Sequence, residues 1–228
     1  IRTKGSNSWQ SIDEKPSLKI QLDWMIAGQR IRGLEDITLN AMNDDHSMAH
    51  ERVGYRLYRD MGVPAARATH ATVWINEEYY GLYTHVETVD DHMIARWFKD
   101  AEGALFELED ADYSDEYLAG FTLDYAENED ETELWANIRG VVEALSLASA
   151  DEAMTAVEEH LNLDQYLLYW AVTAVIGQFD GYPYSIPGDD SHIYDNPDDN
   201  RLYTLPHGID ESFYQPSKNI WSSTHGSL

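Results

Sequence analysis

The sequence contains no cysteine, and this absence excludes several classes of protein. A disulfide-stabilised scaffold, a thiolate nucleophile and a cysteine-ligated zinc site all need a residue that this chain does not have. The redox state of the compartment in which the protein works therefore cannot be inferred from its cysteine usage.

Long apolar runs are also absent. No stretch approaches the ~20 residues that a membrane-spanning helix needs, so we expect no membrane span in this chain. The sequence opens on "IRTKGSNSW", without a methionine or a signal peptide, which is typical of an excised fragment. We interpret residues 1–228 as a single domain, with a first lobe at 1–90 and a second at 91–228.

Basic residues are scarce. Fifteen Lys and Arg stand against 42 Asp and Glu, which gives a formal net charge of −27 at pH 7. Nucleic-acid binding needs clustered basic residues, so we expect no nucleic-acid partner. A phosphate-bearing ligand would need a cation to approach such a chain. The acids are spread along the sequence, which is typical of a solvated surface in salty surroundings.

The first half of the chain alternates in the manner of strands and contains one clear helix. In "SLKIQLDW" apolar and polar residues alternate, which predicts a half-buried strand with Lys19 on its polar side. A helix follows "DDHS", where Asp45 or Ser47 can cap it, and Glu51 lies in its first turns. "ATHATVWIN", a turn at "NEEYYG" and "LYTHVETVD" predict a β-hairpin that leads into a second helix.

The second half is predicted to be mainly helical. Residues 107–133 are rich in acids and turn formers, which favours a surface excursion. Two helices follow at about 133–147 and 151–160, and "LDQYLLYWAVTAVIGQF" is apolar nearly all round, as a buried helix is. The tail reads as loop, strand, acidic turn, strand and loop.

Four features of the sequence occur in the order that protein-kinase chemistry requires. That chemistry uses a small-residue loop over the phosphates, a strand Lys paired with a helix Glu, a loop Asp facing the acceptor hydroxyl, and a metal-binding Asp. The candidates are the loop "KGSNS" with Lys4, Gly5 and Ser6, then Lys19 or Lys15, Glu51, Asp180 and Asp210. Asp190, just before the strand "SHIYD", is the candidate for a second metal ligand.

Each of these features also has an ordinary structural interpretation. A Gly/Ser loop is usually a simple turn, a strand Lys is usually solvated, and Glu51 can be a surface acid. The acids of "GDDSHIYDNPDDN" can form a solvated turn or a calcium-binding turn, namely Asp189, Asp195, Asp198 and Asp199. The nine histidines show no metal-binding spacing, so we expect isolated structural imidazoles.

Over nearly its whole length the chain resembles the CotH kinases, a family named for a spore-coat protein and related to protein kinases, and three segments carry the resemblance. The segments are "KPSLKIQLD", "GLEDITLNAMNDDHSMAHERVGYRLYRDMGVPAARATHATVWINEEYYGLYTHVETVD" and "LYTLPHGIDESF". The resemblance implies an α+β, atypical protein-kinase-like two-lobed fold with a strand-rich N-lobe and a helical C-lobe. It also implies binding of ATP with Mg²⁺ or Mn²⁺ and phosphorylation of proteins at spore coats or cell surfaces.

Carried over to this sequence, the resemblance implies that Asp180 is the catalytic-loop acid and Asp210 the metal ligand. Lys19 and Glu51 would position the phosphates, and Glu87, in the well-matched segment "YTHVETVD", is a candidate for the nucleotide cleft whose role stays open. Two positions depart from the family pattern. "HGID" lacks an acid before the metal Asp, and Ser185 stands where an Asn would help to hold metal, so Asp190 is the best substitute.

These observations favour an enzyme that transfers phosphate from ATP to a Ser or Thr of a secreted or surface protein. The main alternative is a non-catalytic surface, spore-coat or adhesion module that keeps the kinase-like fold, and a calcium-stabilised acidic domain is a third. Metal-dependent ATP binding distinguishes the first from the others. The sequence leaves open the substrate, the choice between phosphoryl and AMP transfer, and the oligomeric state.

Overall fold

The first of two sheets is formed by the N-terminal part of the chain. The structure, a computed structural model, describes residues 1–5, 9–126, 131–185, 187–215, 217, 219–221 and 223–228. Five antiparallel strands, in the order β1-β2-β3-β5-β4, make up this sheet. They are β1 (Arg2–Lys4), β2 (Ser17–Gln21), β3 (Asp36–Asn40), β4 (Ala68–Ile75) and β5 (Glu78–Val86). The predicted hairpin is confirmed as β4 and β5.

The second sheet lies in the C-terminal part of the chain and has four antiparallel strands in the order β7-β6-β8-β9. They are β6 (Ala104–Leu108), β7 (Phe121–Tyr125), β8 (Ser191–Asn196) and β9 (Arg201–Pro206). The prediction of a surface excursion over 107–133 was wrong at β7, which pairs with β6. Three consecutive exposed residues, Thr122, Leu123 and Asp124, hide the alternation that would have indicated a strand.

Helices connect and cover the two sheets. They are α1 (His50–Asp60), α2 (Asp91–Trp97), α3 (Glu131–Leu134), α4 (Ala136–Leu145), α5 (Ala150–Val157) and α6 (Leu163–Ile176). The Asp45 carboxylate accepts hydrogen bonds from the backbone N–H of Ser47 and of His50, at 2.9 and 2.7 Å, and so holds the start of α1. α6 is not buried all round as predicted, because Leu167 and Val175 are exposed.

Two hydrophobic cores are present. The larger one joins α1 to α6 and the second sheet, and the rings of Tyr58 and Tyr169 stack within it at 5.8 Å. The smaller one lies in the first sheet around Leu18, Leu39 and Tyr83. The protein is therefore mixed α and β, with two antiparallel sheets. The second half contains a sheet as well as helices, and the two-lobed kinase-like arrangement stays a prediction.

α1 is fixed against the turn that follows β9. The side chain of Tyr58 hydrogen-bonds Thr173 of α6 at 2.8 Å. At the other end of α1, the Nδ1 atom of His50 lies 3.1 Å from the carbonyl oxygen of Asp210. A Cβ atom added at Gly54 would lie 2.7 Å from the side chain of Ile209, so glycine permits this close approach. No helix in the described ranges is long and apolar enough to cross a membrane.

Candidate functional site

A cleft of about 1090 Å³ lies between the two sheets. The basic residues of the cleft lie on the wall that the first sheet forms. Arg2 and Lys4 lie on the same face of β1, because side chains alternate along a strand, and Lys19 of β2 is directly opposite Arg2. Acids are more numerous in the cleft as a whole, since ten Asp and Glu against three Lys and Arg line its described part.

Lys4 is linked to Glu51 through Asn40. The Lys4 ammonium donates a hydrogen bond to Oδ1 of Asn40 at 3.0 Å, and Nδ2 of Asn40 donates to Glu51 Oε1. Glu51 is only 1% exposed. Burial and the charge of Asp210 raise the pKa of Glu51 to about 8, against the opposing effects of Asn40 and Lys4. Glu51 is therefore largely protonated at neutral pH.

The two lysines that the sequence offered as phosphate ligands have other partners. Lys19 lines the cleft and forms an ion pair with Asp36 of β3, with 3.1 Å between Nζ and Oδ2. Lys15 donates to the carbonyl oxygen of Ala41, and its ammonium lies 5.0 Å from the centroid of the Tyr83 ring. Lys15 therefore packs against the small core, whereas the structure brings Lys4 to Glu51.

The remaining nucleotide-binding candidates are only partly described. Gly5 lines the cleft, and Ser6 lies outside the described residues. Glu87 also reaches the cleft wall, but its carboxylate accepts hydrogen bonds from Arg67 and Arg96. These bonds join the end of β5 to α2, which gives Glu87 a structural role in the fold.

Asp190, before β8, and Asp210, after β9, line the second wall, and Asp180 lies near them outside the cleft lining. Asp180 lies in the loop after α6 and is exposed, Asp190 immediately precedes β8, and Asp210 lies in a 3₁₀ turn, Ile209–Glu211. Burial raises the pKa of Asp190 well above its usual value, and Asp189, Asp210 and Asp180 add to this by charge repulsion. Burial also raises the pKa of Asp210. Such a group of like charges attracts a cation.

The acidic turn between β8 and β9 has internal partners. Asp199 accepts hydrogen bonds from Asn196 and Tyr203, both at 2.8 Å, and forms an ion pair with Arg201. Its carboxylate is therefore already engaged, as in a solvated structural turn.

The family of the chain follows from its sequence. The model of a family described as "CotH kinase protein" matches residues 1–226. This chain belongs to the CotH kinase family. A similar protein is the inner spore coat protein H of Bacillus subtilis (strain 168), which is 24% identical over 159 residues. The match covers 66% of this chain and 44% of that protein, so it spans less than half of the relative's length.

The segment "HGID" makes a close approach to the acid that precedes β8. Gly208 has φ of +51°, and a Cβ atom built on it would lie 1.8 Å from Oδ1 of Asp190. The Asp190 carboxylate therefore fills the space that a side chain at position 208 would need. Gln178 holds this arrangement, since its amide donates to the carbonyl oxygen of Gly208 at 3.2 Å. The carboxylate of Asp190 thus lies directly beside the "HGID" turn.

Sequence reasoning missed Asn40 and a group of three side chains in the cleft of this CotH kinase family member. Glu107, Asp124 and His192 come from three strands far apart in the sequence, so no short motif contains them. The histidines had been interpreted as isolated structural residues. A signal in the sequence was the position of His192 in the predicted strand "SHIYD", two residues after Asp190.

Proposed function

We propose that the chain binds ATP with Mg²⁺ or Mn²⁺ in the cleft and transfers phosphate to a Ser or Thr hydroxyl of another protein. The observation that carries this proposal is the opposition of the two walls. Lys4, linked to Glu51, lies on the first sheet, and Asp190 and Asp210 lie just before β8 and just after β9 on the opposite wall. The charge of Asp210 acts on Lys4 across the cleft, which supports a phosphate-binding lysine opposite a metal-binding acid.

The residues present fit a hard divalent cation. Asp190 and Asp210 offer carboxylate oxygens, the ligands that Mg²⁺ and Mn²⁺ prefer. No group of three His, Asp or Glu ligand atoms within 4.8 Å of one another in the described residues includes Asp190 or Asp210, so phosphate oxygens and water would have to supply the other ligands. A bound cation would supply the positive charge that offsets the phosphates in a strongly acidic cleft.

The side chains of the chain then divide the remaining work. Lys4 donates to a phosphate oxygen, and Asn40 holds its ammonium toward Glu51. Asp180, exposed beside the metal-binding acids, orients the acceptor hydroxyl and takes its proton. Lys4 and Asp180 would thus act by positioning and by electrostatic stabilisation, the two effects that dominate catalysis of phosphoryl transfer.

The substrate is proposed to be a protein of a spore coat or a cell surface. The support for this is the similarity to a protein named for the inner spore coat. A non-catalytic module with the same fold is the outcome if the chain fails the test below.

Two substitutions test the assignment. Asp210→Asn removes a ligand charge, so metal-dependent ATP affinity should fall at least about tenfold by calorimetry. Asp180→Asn removes an interaction made mainly in the transition state. The affinity for ATP and metal should therefore stay within about threefold of the unchanged chain, while the rate of phosphate transfer falls at least about a hundredfold. Transfer is measured with radiolabelled ATP, using autophosphorylation where no substrate is at hand.

Asp115→Asn, an exposed acid outside the cleft lining, is the matched control and should change neither quantity. If both cleft variants bind and transfer like the unchanged chain, the two acids are merely solvated and the proposal is wrong. Tight ATP binding in the presence of a chelator would contradict the role of the cation.

A further inference from the structure

A second group of side chains in the cleft combines carboxylates with an imidazole. Glu107 of β6 and His192 of β8 are directly opposite each other in the strand register, and Asp124 lies on β7, on the other side of β6. One ligand atom from each lies within 4.8 Å of the other two. We propose that these three residues, here called the histidine cluster, bind a transition-metal dication of the zinc type without nucleotide.

The spacing within the histidine cluster is close to that of a coordination sphere. Zinc bonds of about 2.1 Å in a tetrahedral site place neighbouring ligand atoms ~3.4 Å apart. Nε2 of His192 lies 3.2 Å from Oδ2 of Asp124, so this pair already has the required separation. The carboxylate of Glu107 has only to move closer by side-chain rotation.

An irregularity of the sheet presents Asp124 to the cleft. In the pairing of β6 with β7, Leu123 is opposite Phe106 and Tyr125 is opposite Leu105. Asp124, between Leu123 and Tyr125, therefore has no opposite residue on β6. Bulges of this kind redirect side chains and are frequent beside functional sites. This irregularity therefore leaves Asp124 outside the regular strand pairing, so that its carboxylate can reach the cleft.

The buried imidazole of His192 supplies a further observation. His192 is only 3% exposed, and its Nδ1 atom is buried without a hydrogen-bond partner in the described part of the chain. His207, just after β9, packs edge-to-face against it at 4.6 Å, and its own Nδ1 also has no partner there. A cation held by Nε2 would leave both Nδ1 atoms as they are, so the support that His192 gives to the site is its buried ring with Nε2 facing Asp124.

His207 lies beside the histidine cluster and close to one of its carboxylates. Its Nε2 atom lies 3.8 Å from Oε1 of Glu107. A site with one or two imidazoles and two carboxylates suits zinc, cobalt or nickel, whereas magnesium prefers oxygen ligands throughout. The histidine cluster therefore differs in chemistry from Asp190 and Asp210, and its occupation does not depend on the proposed function.

A second cluster in the chain, formed by Asp90, Asp91 and His92, serves as a comparison. These residues are consecutive at the start of α2, and the imidazole of His92 lies 2.7 Å from Asp91 and is nearly half exposed. No buried imidazole belongs to it. It offers ligands of the same kinds without the enclosure, which makes it a matched control.

The test uses the full chain, freed of metal by a chelator, without nucleotide. Calorimetry with Zn²⁺ should show one tight site, and Co²⁺ should give the intense visible absorption of a four- or five-coordinate site with nitrogen ligands. Asp124→Asn, at an exposed position that should not disturb folding, should weaken both at least about tenfold, and so should His192→Gln. Asp91→Asn should leave both unchanged.

The inference is overturned if Asp124→Asn and His192→Gln bind Zn²⁺ as the unchanged chain does, or if Asp91→Asn abolishes binding. It is also overturned if Zn²⁺ binds only together with ATP, or if Asp210→Asn removes the site. Failure of the proposed function has a different signature, because Asp210→Asn then leaves ATP binding unaffected while the zinc site persists.

Discussion

Glu51 combines deep burial with an ionisable group. Its neighbours Asn40 and Lys4 provide too little compensation to keep it charged in the folded chain, because burial and Asp210 together raise its pKa to about 8. In the unfolded chain the same carboxyl ionises near its ordinary value of 4.5. The native state therefore favours the protonated form, and its stability must depend on pH between these two values.

Glu51→Gln should make this dependence visible. A raised native pKa gives stability that is complete below pH 4.5 and is lost as pH rises through about 8. Glutamine keeps the acceptor for Asn40 but does not ionise. The variant should match the unchanged chain at pH 4.5 and exceed it at pH 8 by on the order of a few kcal/mol, measured by urea unfolding. A constant difference at all pH values would contradict this explanation.

Lys4 should matter more for ATP than Lys19. The Lys4 side chain leads to Glu51 through Asn40, whereas Lys19 is neutralised by Asp36. Lys4→Ala should therefore lower ATP affinity at least about tenfold, and Lys19→Ala by less, in calorimetry with Mg²⁺ present. Lys15→Ala is the control, because it should change the melting temperature and leave affinity alone. A larger loss in Lys19→Ala would restore the assignment made from the sequence.

The strands and helices that carry these residues differ in how well they can be predicted from the sequence. α1 and the β4–β5 hairpin have clear periodicity and recognisable ends, and both were predicted. β7 was missed because its exposed, acid-rich stretch resembles a loop, and its pairing with β6 depends on residues distant in sequence. The same reason applies to the site, where the link of Lys4 to Glu51 passes through Asn40 on another strand.

The turn after β9 gives a prediction about backbone geometry. Gly208→Ala places a Cβ against the Asp190 carboxylate at a φ of +51°, so it should lower stability and also weaken metal-dependent ATP binding. Gly62→Ala is the matched control. Gly62 has a φ of +85° with nothing within 4 Å of the added Cβ, so it should cost only about 1–2 kcal/mol and leave binding unchanged. Equal effects of both substitutions on binding would contradict the role given to Asp190.

The chain as a whole carries a formal net charge of −27. Its excess carboxylates repel one another, and this repulsion destabilises the compact folded state. Raising NaCl from about 0.1 to 1 M shortens the Debye length from ~10 to ~3 Å, so the melting temperature at pH 7 should rise by several degrees. Near the isoelectric point of about 4.4 the effect should almost vanish, since little net charge remains. An equal salt effect at both pH values would mean that it comes from general salting-out.

The contacts of α1 also determine which part of the cleft can move. α1 is held at one end by the Tyr58–Thr173 hydrogen bond and at the other by the approach of His50 to the Asp210 carbonyl. Glu51 must therefore travel with the acidic wall when the cleft opens or closes. The hydrogen bond from Asn40 Nδ2 to Glu51 joins the first sheet to α1, whereas the Lys4–Asn40 bond lies within that sheet. A shift of the sheet relative to α1 would therefore lengthen the Asn40–Glu51 bond, which NMR of the Asn40 side-chain amide detects.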